Sequence, residues 1–406
     1  MNIIIDILYY IFAFVAIYFM FLFLLLFIAH RKKLLYTPTI KKFPSVSVII
    51  PAYNEERTIG KTIKAVKNLL YPKKFEIIVV NDGSTDKTYQ IAKRFKGVKV
   101  ISKKNGGKAS ALNLGLKHVK GEIVACVDSD SYPEKHALLR AINFFEKKNV
   151  ASVTTSIFVK NARNVIQRLQ QIEYIIIAWN RKLLQYLNSI YVTPGPMSLY
   201  RKDALVRVGG FDEKNLTEDI EIAWRLMRYR YKIKMSLDSK VYTSVPKTLK
   251  GWWHQRTRWS IGGLQTTSKY FHLFLNRSFS NLGMFLLPFF SVSYILSLLG
   301  LFLFFYIIFD WLFGFVYFLI AYYKFGFGIT GFMTFNFMPD IFLVLGIFTF
   351  LVSLVYLRVN LKTMKRPIKY RRRAKDLLIY LTVYGMIYPF NLIYSIFKFL
   401  LKKYEW

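Results

Sequence analysis

The sequence predicts an α/β domain built on a mainly parallel sheet and joined to a transmembrane α-helical part. Between Val46 and Val127, short apolar runs alternate with helix-like segments, the pattern of βαβ units. Apolar stretches long enough to cross a hydrocarbon core, which takes about 20 residues, lie on both sides of that region. Lys and Arg outnumber Asp and Glu by 59 to 23 among 406 residues. The excess gathers beside the apolar stretches, as expected where a chain meets the anionic cytoplasmic face of a bilayer. This placement argues against a nucleic-acid partner.

Ile3 to Ala29 is apolar apart from Asp6, and His30-Arg31-Lys32-Lys33 follow at once. With no basic leader and no small-residue cleavage site, residues 1–30 read as a retained transmembrane helix, amino end outside. Residues 41–245 carry mixed charge with Gly and Pro punctuation, and form the expected globular domain. Strands are expected at Val46–Ile50, Phe75–Val80, Val98–Ile101 and Glu122–Val127, and helices at Thr58–Leu70, Lys87–Arg94, Lys108–His118 and Ile220–Tyr229. Residues 246–280 mix Trp252, Trp253, Trp259 and Tyr270 with Lys250, Arg256, Arg258 and Lys269, a composition expected of amphipathic helices at a membrane interface.

In 281–406, spans are expected at Leu282–Phe309, Ile341–Leu357 and Leu377–Phe399, with the basic stretch Arg358–Lys375 inside. Counting Trp311–Ile329 as a span would put that stretch outside, so Trp311–Asn336 is expected to be re-entrant or at the outer surface. The single cysteine, Cys126, excludes an internal disulfide and fits a globular part facing the cytosol. The whole reads as a multi-pass protein of the cytoplasmic membrane.

Polar residues gather where the strands end, the edge at which open α/β sheets bind ligands. Asp128 and Asp130 follow the apolar run Ile123–Val127; paired carboxylates suit a divalent cation, although an isolated Asp-x-Asp is more often a helix cap or an Asx-turn. Pro51-Ala52-Tyr53-Asn54-Glu55-Glu56 and Asn81-Asp82-Gly83-Ser84-Thr85-Asp86 end two other strands. Asp82 could accept from a base N–H and Tyr53 could pack on its ring, whereas a type I turn and a helix cap are the plain alternatives. Asn105-Gly106-Gly107-Lys108 opens a helix, a place that favours anions, unless Lys108 is merely solvated.

Leu216-Thr217-Glu218-Asp219 has the acids that helix physics alone puts in a first turn, or else Asp219 is a general base. Gln255, Arg258 and Trp259 share one helix face with Trp252. A guanidinium there can grip a diphosphate and an indole can carry a sugar ring; an interfacial aromatic-and-basic helix is the alternative.

Taken together, these residues resemble the membrane-embedded, processive glycosyltransferases of family 2, the cellulose, chitin, hyaluronan and poly-N-acetylglucosamine synthases. The resemblance covers about Val46 to Lys269, with Pro-Ala-Tyr-Asn-Glu at 51–55, Asn-Asp-Gly-Ser at 81–84, Gly-Lys-Ala-Ser-Ala-Leu-Asn at 107–113, Asp-Ser-Asp at 128–130, Thr-Glu-Asp at 217–219 and Gln-Arg-Thr-Arg-Trp at 255–259 in the family's order. It implies a GT-A-type nucleotide-sugar-binding domain. By that likeness Ala52, Tyr53, Glu55 and Asp82 bind uridine, Lys108 the diphosphate, and Asp128 and Asp130 the nucleotide with Mg²⁺ or Mn²⁺. Asp219 would be the base, with Glu218 beside it, and Arg258 would steady the departing diphosphate. Gln255 and Trp259 would hold the acceptor sugar, and Thr193–Arg201, with Gly195 and Tyr200, would line its path.

The runs from Thr217 and Thr248 look most like poly-N-acetylglucosamine synthases, whereas Gly195–Arg201 leans toward hyaluronan and chitin synthases. The Phe-x-Val-Thr-x-Lys gating loop of cellulose synthases is absent, and three spans after the domain are few for a secretion channel, which leaves room for an accessory export or membrane subunit. The expectation is a metal-dependent, inverting transfer of N-acetylglucosamine from a UDP-sugar to a growing polysaccharide. Its rivals are transfer of a single sugar to a polyprenyl phosphate or lipid, and a non-catalytic nucleotide-binding receptor.

Overall fold

The protein is described by a computed structural model covering residues 3–325, 341–363 and 370–404. An apolar run covered on both faces folds as an interior strand, and β1 (Val46–Ala52) is buried at every position. It pairs in parallel with β2 (Glu76–Asp82), and β2 pairs in parallel with β3 (Val98–Lys103). On its other side β1 pairs in parallel with β4 (Ile123–Cys126). The remaining strands are β5 (Ser131–Pro133), β6 (Val150–Val159), β7 (Ser198–Arg201) and β8 (Lys232–Thr243). Together they make one eight-stranded sheet of order β3-β2-β1-β4-β7-β6-β8-β5, in which β7 and β5 run antiparallel to their neighbours. The chain winds one way from β1 to β3 and then crosses to β4. A crevice therefore opens at the carboxyl ends of β1 and β4.

The helices of this part are α1 (Ile3–His30), α2 (Ile59–Lys67), α3 (Thr88–Lys93), α4 (Lys108–Lys117), α5 (Ala137–Ile142), α6 (Val165–Leu184), α7 (Lys202–Arg207), α8 (Glu218–Arg228) and α9 (Leu249–Tyr270). Val48 and Ile50 share a core with Ile59, Ile63 and Val66 of α2. Ile49, which points to the opposite face of the strand, packs with Ala111 and Leu112 of α4 and Ile222 and Leu226 of α8. Within residues 41–245 every strand and helix expected from the sequence is present, with ends shifted by at most three residues. The strands β5, β6, β7 and β8 are additions to that expectation.

Among the described residues, four helices are long and apolar enough to cross a membrane: Ile3–Lys33, Leu282–Lys324, Val344–Thr363 and Lys375–Leu400. The segment from Trp311, expected to be re-entrant or at the outer surface, continues the helix Leu287–Phe325 without a break as far as that helix runs; the rest of 311–336 lies outside the described residues. Two compact units can be distinguished. One gathers the chain up to Leu25 with the stretch from Val292, and the other holds Leu26–Ser291 with the C-terminal helices. Everything described below lies in the second unit. There α9 is not a surface helix: Trp252, Ile261 and Gly262 are buried, and Trp252 packs with Leu169 and Tyr384.

Candidate active site

Neither Asp128 nor Asp130 caps a helix. The next one, α5, begins at Ala137, and its N-cap His136 makes no capping side-chain bond. Instead the turn after β4 is held by Val127 N–H donating to Ile49 O (2.9 Å), Asp128 N–H to Gly195 O (3.1 Å) and Thr62 Oγ1 to Ser129 O (2.7 Å). Both carboxylates are thereby presented at the crevice. Burial, then Asp128 and Glu55, push the Asp130 carboxyl up to about 6. That negative field, with oxygen ligands only, suits a hard divalent cation. Among the described residues no group of three or more His, Cys, Asp or Glu gathers to hold a metal. Two aspartates completed by diphosphate oxygens is the arrangement by which Mg²⁺ is commonly held.

Lys108 opens α4 after Gly107, whose φ of +85° suits glycine. Its Nζ lies 2.6 Å from Asp128 Oδ1 and 3.0 Å from Glu218 Oε1. Burial would lower this ammonium, but Asp128, Glu218 and Asp219 outweigh it and hold it above its ordinary value. A Cβ at Gly195 would strike both Lys108 Nζ and the Asp128 carboxylate, so any larger residue there would displace the pair.

Thr217 precedes α8 without making a capping bond; its hydroxyl donates to Asn215 Oδ1 (3.2 Å). Glu218 is buried and turned to Lys108. Thr193 fixes the Asp219 backbone by donating N–H and Oγ1 to its carbonyl (3.1 and 2.9 Å). Burial, then Glu218, raise the Asp219 carboxyl, with Lys108 and Arg258 opposing, to about 7. The acids of this turn are therefore not explained by helix capping.

A cavity of about 400 Å³ gathers Lys108, Asp128, Asp130, Gly195, Glu218, Asp219, Gln255, Arg258 and Trp259. The other expected site residues lie elsewhere. Ala52 is buried at the end of β1, whereas Tyr53 is 49% exposed. Glu55 sits between Asp128 and Asp86, its carboxyl raised by burial first. Asp82, buried, accepts from Gly106 N (3.1 Å), Gly107 N (2.8 Å) and Lys103 Nζ (2.8 Å), and so shapes the loop that carries Lys108. Tyr200 does not reach the cavity: it is 1% exposed and donates to Thr193 Oγ1 (2.9 Å), which bears on Asp219 from behind.

Residues 47–209 match Glycosyl transferase family 2. This stretch is a family 2 glycosyltransferase domain. The chain is 37% identical over 224 residues to a poly-β-1,6-N-acetyl-D-glucosamine synthase of Staphylococcus epidermidis, covering 54% of this chain and 54% of that protein. It is 34% identical over 242 residues to a probable glycosyltransferase, YdaM, of Bacillus subtilis, covering 57% and 58%. The match thus spans about half the length of these relatives. A mannosyltransferase of Pyrobaculum calidifontis, solved in complex with GDP-Man and Mn²⁺, aligns over 97% of this chain and 99% of that one, with a TM-score of 0.60 and 19% identity. The glycosyltransferase domain therefore has the GT-A-type α/β fold.

Sequence reasoning did not place Tyr174, Arg181, Tyr191, Arg256 and Tyr388 at the cavity. One sign was available: Glu173 and Arg181 lie on the same helix as the apolar residues Leu169, Ile172, Ile175 and Trp179, and charges buried among such residues are there for a partner.

Proposed function

We propose that the protein is a membrane glycosyltransferase that moves a sugar, N-acetylglucosamine, from a UDP-sugar to a growing polysaccharide by an inverting reaction. One observation carries this reading: an acid with a raised pKa, Asp219, shares a cavity with the cations Lys108 and Arg258 and the Gln255–Trp259 pair. The identity to poly-β-1,6-N-acetyl-D-glucosamine synthases supports the choice of sugar and of a polymer product. The basic runs His30–Lys33 and Arg371–Arg373 support a catalytic domain on the cytosolic side.

In this mechanism Ala52, Tyr53 and Glu55, at the carboxyl end of β1, form the nucleoside side of the crevice. Asp82 holds the Gly106-Gly107 loop so that Lys108 meets the diphosphate. Asp128 and Asp130 would hold Mg²⁺ or Mn²⁺, which supplies charge neutralisation for the leaving diphosphate. When the diphosphate arrives, Lys108 exchanges carboxylate partners for phosphate oxygens. Asp219, a base near neutral pH, takes the proton of the acceptor hydroxyl as that oxygen bonds to the anomeric carbon. Arg258 balances the charge on the departing diphosphate. Trp259 and Gln255 orient the acceptor ring.

The test is to incubate the purified chain with individual radiolabelled UDP-sugars and Mg²⁺ or Mn²⁺ and to size the product. UDP-N-acetylglucosamine is expected to give polymer. A product carrying one added sugar refutes processive synthesis, and no UDP release from any donor refutes catalysis.

A further inference from the structure

A buried ion pair stands beside the cavity and has no part in the chemistry above. Arg256 and Glu173 are bonded to each other with side chains 2% and 6% exposed. Two tyrosines of the C-terminal apolar helix close the carboxylate: Tyr384 OH donates to Glu173 Oε2 (2.7 Å) and Tyr388 OH to Oε1. Tyr388 also accepts from Arg256 Nε (2.9 Å). Tyr384 is the last residue of a π-helical turn at Tyr380–Tyr384 and Tyr388 lies just beyond it; such an irregularity is often functional. A second link, bidentate Arg168 to Asp376 (2.8 and 3.0 Å), ties α6 to the same C-terminal segment.

Burying such a pair adds little net stability over apolar packing, so its use must lie in what it orients. Two arms of Arg256 are spent on Glu173 and Tyr388. The third, Nη1, donates to Gln255 Oε1 (2.8 Å), and the guanidinium lies 4.1 Å from the Trp259 ring centre. With one lone pair of its oxygen held and the amide plane fixed by that bond, Gln255 keeps both NH₂ donors for the cavity.

We propose that the Glu173–Arg256 pair, closed by Tyr384 and Tyr388, is a positioning element of the acceptor subsite. Through it the C-terminal helix presents Gln255 as a donor to an acceptor-sugar oxygen and holds the Trp259 ring. This rests on the reading of Gln255 and Trp259 as acceptor-binding residues.

The experiment uses the full chain in detergent, with N-acetylglucosamine oligosaccharides of defined length as acceptor probes. Oligosaccharide and UDP affinities are measured by calorimetry, and transfer from UDP-N-acetylglucosamine by UDP release. Tyr388→Phe removes a donor without changing volume, and Tyr384→Phe serves as the second variant. Tyr388→Phe is expected to weaken oligosaccharide binding and raise the acceptor KM by about tenfold, with UDP affinity unchanged. Its effect should vanish in the Gln255→Ala background, since both changes act through one contact. Additive effects, or equal losses of UDP and oligosaccharide affinity, overturn the proposal, because a merely structural role predicts those results. Wild-type protein that binds oligosaccharide but transfers no sugar overturns the proposed reaction and leaves the positioning result standing on affinity; wild-type protein that binds none overturns the positioning role.

Discussion

Replacing Asp219 by Asn should separate catalysis from stability in opposite directions. The carboxyl is raised from an ordinary 3.8 to about 7, first by burial and then by Glu218. A raised carboxyl favours folding while protonated, and that contribution is lost as pH rises through about 7. Each tenfold change in proton affinity is worth about 1.36 kcal/mol, so the ceiling on the cost of ionising this group in place is about 4 kcal/mol. Sharing of charge with Glu218 reduces what a single substitution recovers to about 1–2 kcal/mol. In melting experiments at pH 8 the Asn variant should therefore gain about 2–8 °C, while at pH 5 the gain should fall to less than half and below the ordinary carboxyl value of 3.8 it should disappear. Turnover should fall by about 10²–10⁴-fold, the usual worth of a general base, with UDP affinity retained. The wild-type kcat/KM should climb about tenfold per pH unit below 7 and level off above it. Turnover of the variant within tenfold of wild type, or a lower melting point at pH 8, would refute the assignment of Asp219 as a buried base.

Lys108→Met leaves Asp128 and Glu218 facing each other without their cation, and UDP affinity by calorimetry should fall about ten- to hundredfold. Gly195→Ala forces a methyl group into Lys108 and Asp128; it should depress UDP-sugar binding to a similar degree while the melting midpoint moves little. Gly262→Ala pushes on Thr217 from α9, so it should lower kcat through Asp219 while UDP affinity is kept. Chelation by EDTA should weaken UDP-sugar binding and added Mn²⁺ should restore it, a response that Asp130→Asn should abolish.

The half of the sheet that opens the crevice was legible because its physics is local. β1, β2 and β4 are short, buried apolar runs, and the polar residues at their ends stand out against them. The other half hides its strands: in β6, Ser152, Thr154, Thr155 and Ser156 are fully buried, so neither alternation nor apolarity marks it. Two of those hydroxyls are accommodated by tertiary partners, Thr155 Oγ1 donating to Met197 O (2.8 Å) and Ser156 Oγ to Leu237 O (2.8 Å), contacts that only the folded chain creates.

The same division runs through the site. Lys108 touches both Asp128 and Glu218, two acids from distant parts of the chain, and no spacing rule reports it. Tyr200 shows the converse, since a residue in a motif can serve from behind, by holding Thr193, which holds Asp219. α9 shows both at once. Its i, i+3, i+4 spacing correctly grouped Gln255, Arg258 and Trp259 on the cavity, yet the residue between them, Arg256, is the most buried charge of the helix. A helix meant only for a membrane surface would turn that arginine toward head groups. Its burial against Glu173 instead ties the cavity-facing side of α9 to the C-terminal apolar helix.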